Sequence, residues 1–179
     1  MKKILFVLLS FLLVTGCNTL DNTPTKQVEV FFNKYQTLDK EVLNDLDSVV
    51  AEEVNFNTEQ RDKYKDLMKK HYQNLTYKIK DSVEDADSAT VTVEIEVTDY
   101  SKAIADTNLY LQTNRDEFLD EFNEYDNIKF NDYRLEELSK VKDKVKYTLD
   151  LTLTKVNDEW QLDQIDDEVE DKIHGIYQY

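Results

Sequence analysis

Two stretches of alternating apolar and polar residues constrain the fold of this chain more than any other feature. The first places apolar side chains at every second position, namely Val91, Val93, Ile95 and Val97. The second repeats the pattern at Val145, Tyr147, Leu149, Leu151 and Leu153. Because successive side chains of a strand point to opposite faces of a sheet, each stretch predicts one buried and one wet face. Such half-buried strands are typical of an antiparallel sheet.

Each stretch has a partner across a polar turn. Residues 75–80 also alternate, and the turn Glu84–Ser88 joins them to the first stretch. The second stretch is followed by the turn Asn157–Glu159 and then by Trp160, Leu162 and Ile165. The sequence therefore predicts about four strands in two hairpins.

Three amphipathic helices are predicted before the first hairpin, because apolar residues recur there at spacings of three and four. The first covers residues 25–37. Asp39 is a suitable N-cap for the second, and Asn57 or Thr58 opens the third.

A helical insert of residues 101–143 is predicted between the hairpins. Ser101 caps a long helix that runs to about Glu124 and is either partly solvated midway or broken near Thr113–Asn114. Residues 125–131 form a loop, and Asp132 opens a shorter helix. Asp166 and Asp167 begin a last helix after the second hairpin. The predicted fold is α+β: an antiparallel sheet packed by N-terminal helices, with the insert between its hairpins and a C-terminal helix.

The N-terminal segment differs in composition from everything that follows. Lys2 and Lys3 precede an apolar run from Ile4 to Val14 that only Ser10 interrupts, and small residues lead to Cys17. The run is too short for a permanent membrane span, which takes about 20 residues, and is typical of a secretory signal peptide. The segment resembles the lipobox of bacterial lipoproteins. That resemblance implies cleavage between Gly16 and Cys17 and acylation of Cys17.

The predicted organisation is thus a signal peptide over residues 1–16, a lipidated cysteine and polar tether over 17–25, and a single domain over 26–179. The expected location is the outer face of the cytoplasmic membrane, with the lipid as the membrane contact. Cys17 is the only cysteine, so the domain is expected to fold without a disulfide.

The net charge of −16 at pH 7 limits the class of partner. Binding to nucleic acid needs Lys and Arg residues that replace phosphate counterions, so nucleic acid is excluded as a partner. Protein, cationic peptide and cell-wall partners stay open.

The order of elements is similar to that of uncharacterised Gram-positive surface lipoproteins grouped with the cystatin-like and nuclear transport factor 2-like domains. The resemblance is carried by the lipobox, the junction Thr98–Ser101, the hairpin Val156–Leu162 and the segment Asp171–Gly175. It implies no catalytic residue. The insert departs from the compact form of that fold.

No catalytic set is visible. A nucleophilic triad needs a histidine, and only His71 and His174 exist. His71 lies on the apolar face of the third helix and is interpreted as a core histidine with one backbone partner, while His174 is interpreted as a cation near a helix C-terminus. No metal site and no cofactor are predicted, because the acidic runs lack the spacing and the glycine of a calcium loop.

Four tyrosines near the insert are not explained by core packing and are the predicted binding surface: Tyr100, Tyr110, Tyr125 and Tyr133. Two hypotheses follow. The first is a membrane-anchored, non-enzymatic binding or interaction module at the cell surface. The alternative is a small-molecule carrier or an enzyme that uses a cavity between sheet and helices, for which Asp99, Tyr100 and His71 are the candidate residues.

Overall fold

The computed structural model describes residues 22–178. Over this range the chain forms six α-helices, a short 3₁₀ helix and a four-stranded antiparallel sheet. The elements in order are α1 (Pro24–Thr37), α2 (Lys40–Glu52), α3 (Thr58–Asn74), β1 (Thr76–Glu84), β2 (Ser88–Thr98), α4 (Ser101–Thr113), the 3₁₀ helix (Arg115–Phe118), α5 (Asn127–Lys140), β3 (Lys144–Val156), β4 (Glu159–Leu162) and α6 (Asp167–His174). The α+β class with two hairpins, N-terminal helices and a C-terminal helix is confirmed.

The sheet has the strand order β1-β2-β3-β4, so the two hairpins join through the pairing of β2 with β3. In that pairing Val91 lies opposite Leu151 and Ile95 lies opposite Tyr147. The four alternating apolar residues of β2 are fully buried. The period of two therefore predicted both the strands and the face that is covered.

One face of the sheet holds the main core, and the other faces water. Residues of α1 and α6 cover the apolar face, with Val28, Phe32 and Ile173 all fully buried in that core. On the opposite face Thr92 Oγ1 donates to Asp150 Oδ1 at 2.7 Å. Ion pairs also cross this face between neighbouring strands, namely Lys80–Glu94 and Lys146–Glu96.

The predicted N-caps bond the first turns of helices α2 and α3. The Asp39 carboxylate accepts from Glu41 N–H at 2.9 Å at the start of α2. At the start of α3, the side chains of Asn57 and Gln60 each accept from the other residue's backbone N–H, which forms a capping box. Between α2 and α3 lies a second core of Val42, Leu46, Val50, Met68 and Tyr72.

The folded part begins earlier than the domain start predicted at residue 26. Pro24 is buried at the first position of α1, where its missing N–H costs nothing. Just before it, the Asn22 side chain accepts from Trp160 N–H and donates to the Trp160 carbonyl. Pro24 and Thr25, which we expected in the polar tether, are therefore part of α1, and the exposed Asn22 is bonded to β4.

The insert differs from its prediction. Helix α4 ends at Thr113, where a break was one of the two alternatives, and does not run on to Glu124. The Asn114 side chain and backbone N–H both bond the Tyr110 carbonyl there. The chain then turns back through the bridge between Leu119 and Tyr125, which leaves Phe122 75% exposed. The predicted loop of residues 125–131 is also wrong.

The loop prediction failed because of a cap. The Asp126 carboxylate accepts from the N–H groups of Ile128 and Lys129, so α5 begins at Asn127 and not at Asp132. This start brings Phe130 into the buried part of the insert.

Helix α6 begins as predicted, with Asp166 as its N-cap. It ends at His174 and is followed by the C-cap Gly175, whose φ of +69° is a left-handed conformation that favours glycine. The Gly175 carbonyl accepts from Tyr100 N–H at 2.8 Å, which ties the end of α6 to the end of β2. None of the helices within residues 22–178 has the length and apolar character needed to span a membrane.

Candidate ligand cleft

A cleft of about 320 Å³ lies among helices α3, α4 and α5. Its volume is within the range of small-molecule sites, about 300–1,000 Å³. Apolar side chains make up about half of its lining, namely Phe56, Leu67, Met68, Ile104, Leu135, Leu138 and Ile176. The alternative hypothesis placed a cavity between sheet and helices, but this cleft is lined mainly by helical residues.

Two buried amide side chains fix α5 against the start of α3 and so shape the cleft. Gln60 is fully buried, and its Nε2 donates to the Ile128 carbonyl at 2.8 Å. Asn131 Nδ2 donates to the Asn55 carbonyl at 3.0 Å, and Asn131 itself lines the cleft. Because these bonds join residues far apart in sequence, they hold the walls of the cleft in one arrangement.

Tyr100 lines the cleft and lies against His71. The two ring centroids are 5.3 Å apart, and the tyrosine is 5% exposed. Burial raises the pKa of Tyr100 to about 12, so its hydroxyl is protonated at neutral pH. The tyrosine is therefore a neutral, amphipathic part of the wall.

His71 is a core histidine, as the sequence predicted. Its Nε2 lies 2.8 Å from the Ile173 carbonyl, which can only accept, so the neutral ring carries its proton on Nε2. Nδ1 is buried without a hydrogen-bond partner. Burial lowers the pKa of His71 to about 4, which makes the ring neutral at pH 7. The His71 ring packs against the Tyr100 ring and does not line the cleft.

Two charged side chains of opposite sign line the cleft. Glu53 is exposed at the end of α2, and Arg134 is half-buried on α5. Both act on Tyr64, which also lines the cleft: after burial, the largest cause, Glu53 raises the pKa of its hydroxyl and Arg134 lowers it. Among the described residues, neither the Glu53 carboxylate nor the Arg134 guanidinium has a hydrogen bond or an ion pair. These two charges were missed in the sequence.

Three of the four predicted tyrosines lie together, away from Tyr100. The rings of Tyr110 and Tyr133 are 5.0 Å apart, and both contact Phe118. Tyr125 lies under the guanidinium of Arg115, with 5.0 Å from its ring centroid to Cζ. These rings pack the insert internally. Binding at their surface stays a prediction, and Tyr100 belongs to the cleft.

Other residues named from the sequence have structural contacts. Asp99 Oδ1 accepts from Ser101 N–H and Oγ–H, so Asp99, and not Ser101, supplies the side-chain bond at the start of α4. Burial lowers the pKa of His174, which disfavours the helix-end cation predicted from the sequence. Within residues 22–178, no three His, Cys, Asp or Glu side chains are grouped as metal ligands. Of Asp99, Tyr100 and His71, only Tyr100 reaches the cleft.

Comparison with known protein families identifies the N-terminal segment. Residues 1–18 match the prokaryotic membrane lipoprotein lipid attachment site. The chain is therefore a lipid-anchored membrane lipoprotein, and the N-terminal pattern is confirmed at that level. The segment itself lies outside the described residues.

A particular protein also resembles this chain. The crystal structure of ycdA from Bacillus subtilis subsp. subtilis str. 168, described as a candidate lipoprotein, aligns with a TM-score of 0.44 and 15% identity. The alignment covers 85% of this chain and 47% of that one, so this chain spans about half the length of ycdA. No curated protein matches the sequence.

Proposed function

We propose that this lipoprotein is a binding module at the outer face of the cytoplasmic membrane of a Gram-positive bacterium, and that it holds a small ligand in the cleft. The observation that carries the proposal is the cleft itself, which combines an apolar lining with two unpaired charges. Small-molecule sites likewise combine apolar surface, which gives affinity, with a few polar groups, which fix the orientation of the ligand.

A binding role fits the cleft better than a catalytic one. Catalysis by acid, base or nucleophile needs groups within hydrogen-bond reach of one another and of the substrate. Of the three residues named for chemistry, His71 is behind the wall and Asp99 is bonded to Ser101. The module is therefore non-enzymatic in this proposal, and the ligand is carried or sensed.

The location is supported by the N-terminal segment. The lipid attachment match provides the anchor, and a signal peptide before it directs export. We further propose that the domain, with its antiparallel sheet crossed on one face by α1, is related to the cystatin-like and nuclear transport factor 2-like folds. The insert of α4 and α5, which builds two walls of the cleft, is then an addition to that fold.

Equilibrium dialysis tests the ligand site. The intact lipoprotein in nanodiscs is dialysed against a defined mixture of amino acids, dipeptides, sugars, nucleosides and vitamins, and retained compounds are identified by mass spectrometry. Ile104→Trp adds a large ring to the cleft wall and should abolish retention. Leu109→Trp is the matched control, because Leu109 is on the same helix, is 59% exposed and does not line the cleft.

We expect at least one compound to be retained by the wild type and by Leu109→Trp, and to be lost with Ile104→Trp. If no compound is retained, or if all three proteins retain the same compounds equally, the cleft is not a ligand site.

A further inference from the structure

The chemical class of the ligand follows from the two unpaired charges, provided that the proposed ligand site is correct. Arg134 is half-buried beside apolar side chains, and removing a charge from water is unfavourable unless a partner compensates it. Other cations near this helix pair are matched: Lys63 contacts Glu59 and Asp132, and Lys65 contacts Asp47. Arg134 is the cation that turns to the cleft without a partner among the described residues.

An arginine without a partner in a concave site is suited to a carboxylate. The guanidinium presents a planar fork of donors that bonds both carboxylate oxygens at once. The group that would complete Arg134 is therefore an anionic oxygen pair on the ligand.

Glu53 at the same cleft offers a carboxylate to a ligand of opposite charge. Its carboxylate forms no ion pair with Arg134, so both charged groups are open to a ligand in the cleft. A ligand ammonium would place a cation beside Glu53. Asn131 adds a neutral acceptor, since its Nδ2 is used by Asn55 and its side-chain oxygen is left to accept.

The charge of the whole protein disfavours a ligand that carries a carboxylate alone. A net charge of −16 repels a simple anion from the surface, whereas a zwitterion has no net charge and is not repelled. The apolar lining adds a place for an uncharged side chain.

We propose that the cleft binds a free α-amino acid with a large apolar side chain, with its carboxylate on Arg134, its ammonium on Glu53 and its side chain among the apolar residues of α3, α4 and α5. Tyr64 also lines the cleft, and its hydroxyl can donate to the carboxylate.

Three probes of nearly equal size separate the contributions of the ammonium and the carboxylate to affinity. They are L-phenylalanine, 3-phenylpropanoate, which lacks the ammonium, and 2-phenylethylamine, which lacks the carboxylate. Their affinities for the intact lipoprotein in nanodiscs are measured by isothermal titration calorimetry. We expect phenylalanine to bind at least about tenfold more tightly than either analogue, in keeping with the loss of one charge-assisted contact.

Variants assign each contact. With Arg134→Gln, phenylalanine should bind no more tightly than phenylethylamine, and with Glu53→Gln no more tightly than phenylpropanoate. Arg115→Gln is the matched control, because Arg115 lies over Tyr125 outside the cleft, and it should bind all three probes as the wild type does. Thermal melting of each variant checks that it is folded. If a variant does not fold, the comparison of the three probes on the wild-type protein still tests the proposal.

The outcomes distinguish the ligand class from the ligand site. If either analogue binds as tightly as phenylalanine, the zwitterion proposal is wrong while the cleft is still a site. If no probe binds but dialysis retains other compounds, the class is again wrong and the proposed function stands. If no probe binds and dialysis retains nothing, both proposals fail.

Discussion

Replacing Gly175 with alanine should destabilise the protein strongly, because that position has no room for a side chain. A methyl group there would lie 2.0 Å from the Thr98 carbonyl oxygen and 3.2 Å from His71 Cε1. Thr98 is the last residue of β2 and is paired with Lys144 of β3, so its carbonyl cannot move without disturbing the sheet. The hydrogen bond from Tyr100 N–H to the Gly175 carbonyl holds these two segments of the chain close together.

The size of the effect has two parts. A left-handed backbone conformation costs a non-glycine residue about 1–2 kcal/mol. Forcing an extra methyl into a packed region costs about 1–3 kcal/mol more. Gly175→Ala should therefore lower the free energy of unfolding by about 2–5 kcal/mol, which for a chain of this length lowers Tm by about 4–20 °C.

Thermal unfolding followed by circular dichroism measures this change. Gly175→Asn separates the two parts, because asparagine tolerates the left-handed conformation but still carries a Cβ atom. If the clash dominates, asparagine will be as harmful as alanine. Gln178→Ala, at an exposed position three residues later, should leave Tm unchanged. A Gly175→Ala protein within about 0.5 kcal/mol of wild type would refute the reasoning, since surface changes fall in that range.

Two further predictions concern His71 and the anchor. The pKa of His71 is about 4 in the folded protein and 6.5 ordinarily, so the unfolded chain gains a proton first as the pH falls. The neutral, buried His71 therefore stabilises the folded protein fully above pH 6.5. Its contribution to the free energy of unfolding is reduced by about 2 kcal/mol at pH 5 and is lost as the pH falls through 4. His71→Leu should remove that part of the difference in urea unfolding between pH 7 and pH 5, and an unchanged difference would contradict the assignment. Cys17→Ser should release the protein from the membrane into the medium, detected by immunoblotting of cell fractions; complete retention would exclude Cys17 as the anchor.

The sheet and the N-terminal helices were predictable because their signals are local. A period of two in β2 and β3 decides which face is buried, and Asp39 and Asn57 are caps that act within three residues. The insert was less predictable. Its apolar residues fit a helix through Phe122, but Asn114 ends α4 and the cap at Asp126 starts α5 early.

The cleft was predictable only in part. Tyr100 stood out because no core pattern explained it, and it does line the cleft. Glu53 and Arg134 could not be distinguished from the solvated charges of a helix surface. Only the packing of α5 onto α3, through Gln60 and Asn131, brings these two charges to one site.

The hydrogen bonds between Asn22 and Trp160 determine how far the domain can travel from its anchor. If the lipid is on Cys17, as proposed, only five residue steps separate it from the fixed Asn22, and they span at most about 18 Å. The domain is thereby confined to a thin layer above the bilayer. A partner anchored in the same membrane shares this layer, so the two molecules meet more often than they would in free solution. Weak contacts could then suffice for a stable assembly in the membrane, although the same two molecules would stay apart in dilute solution.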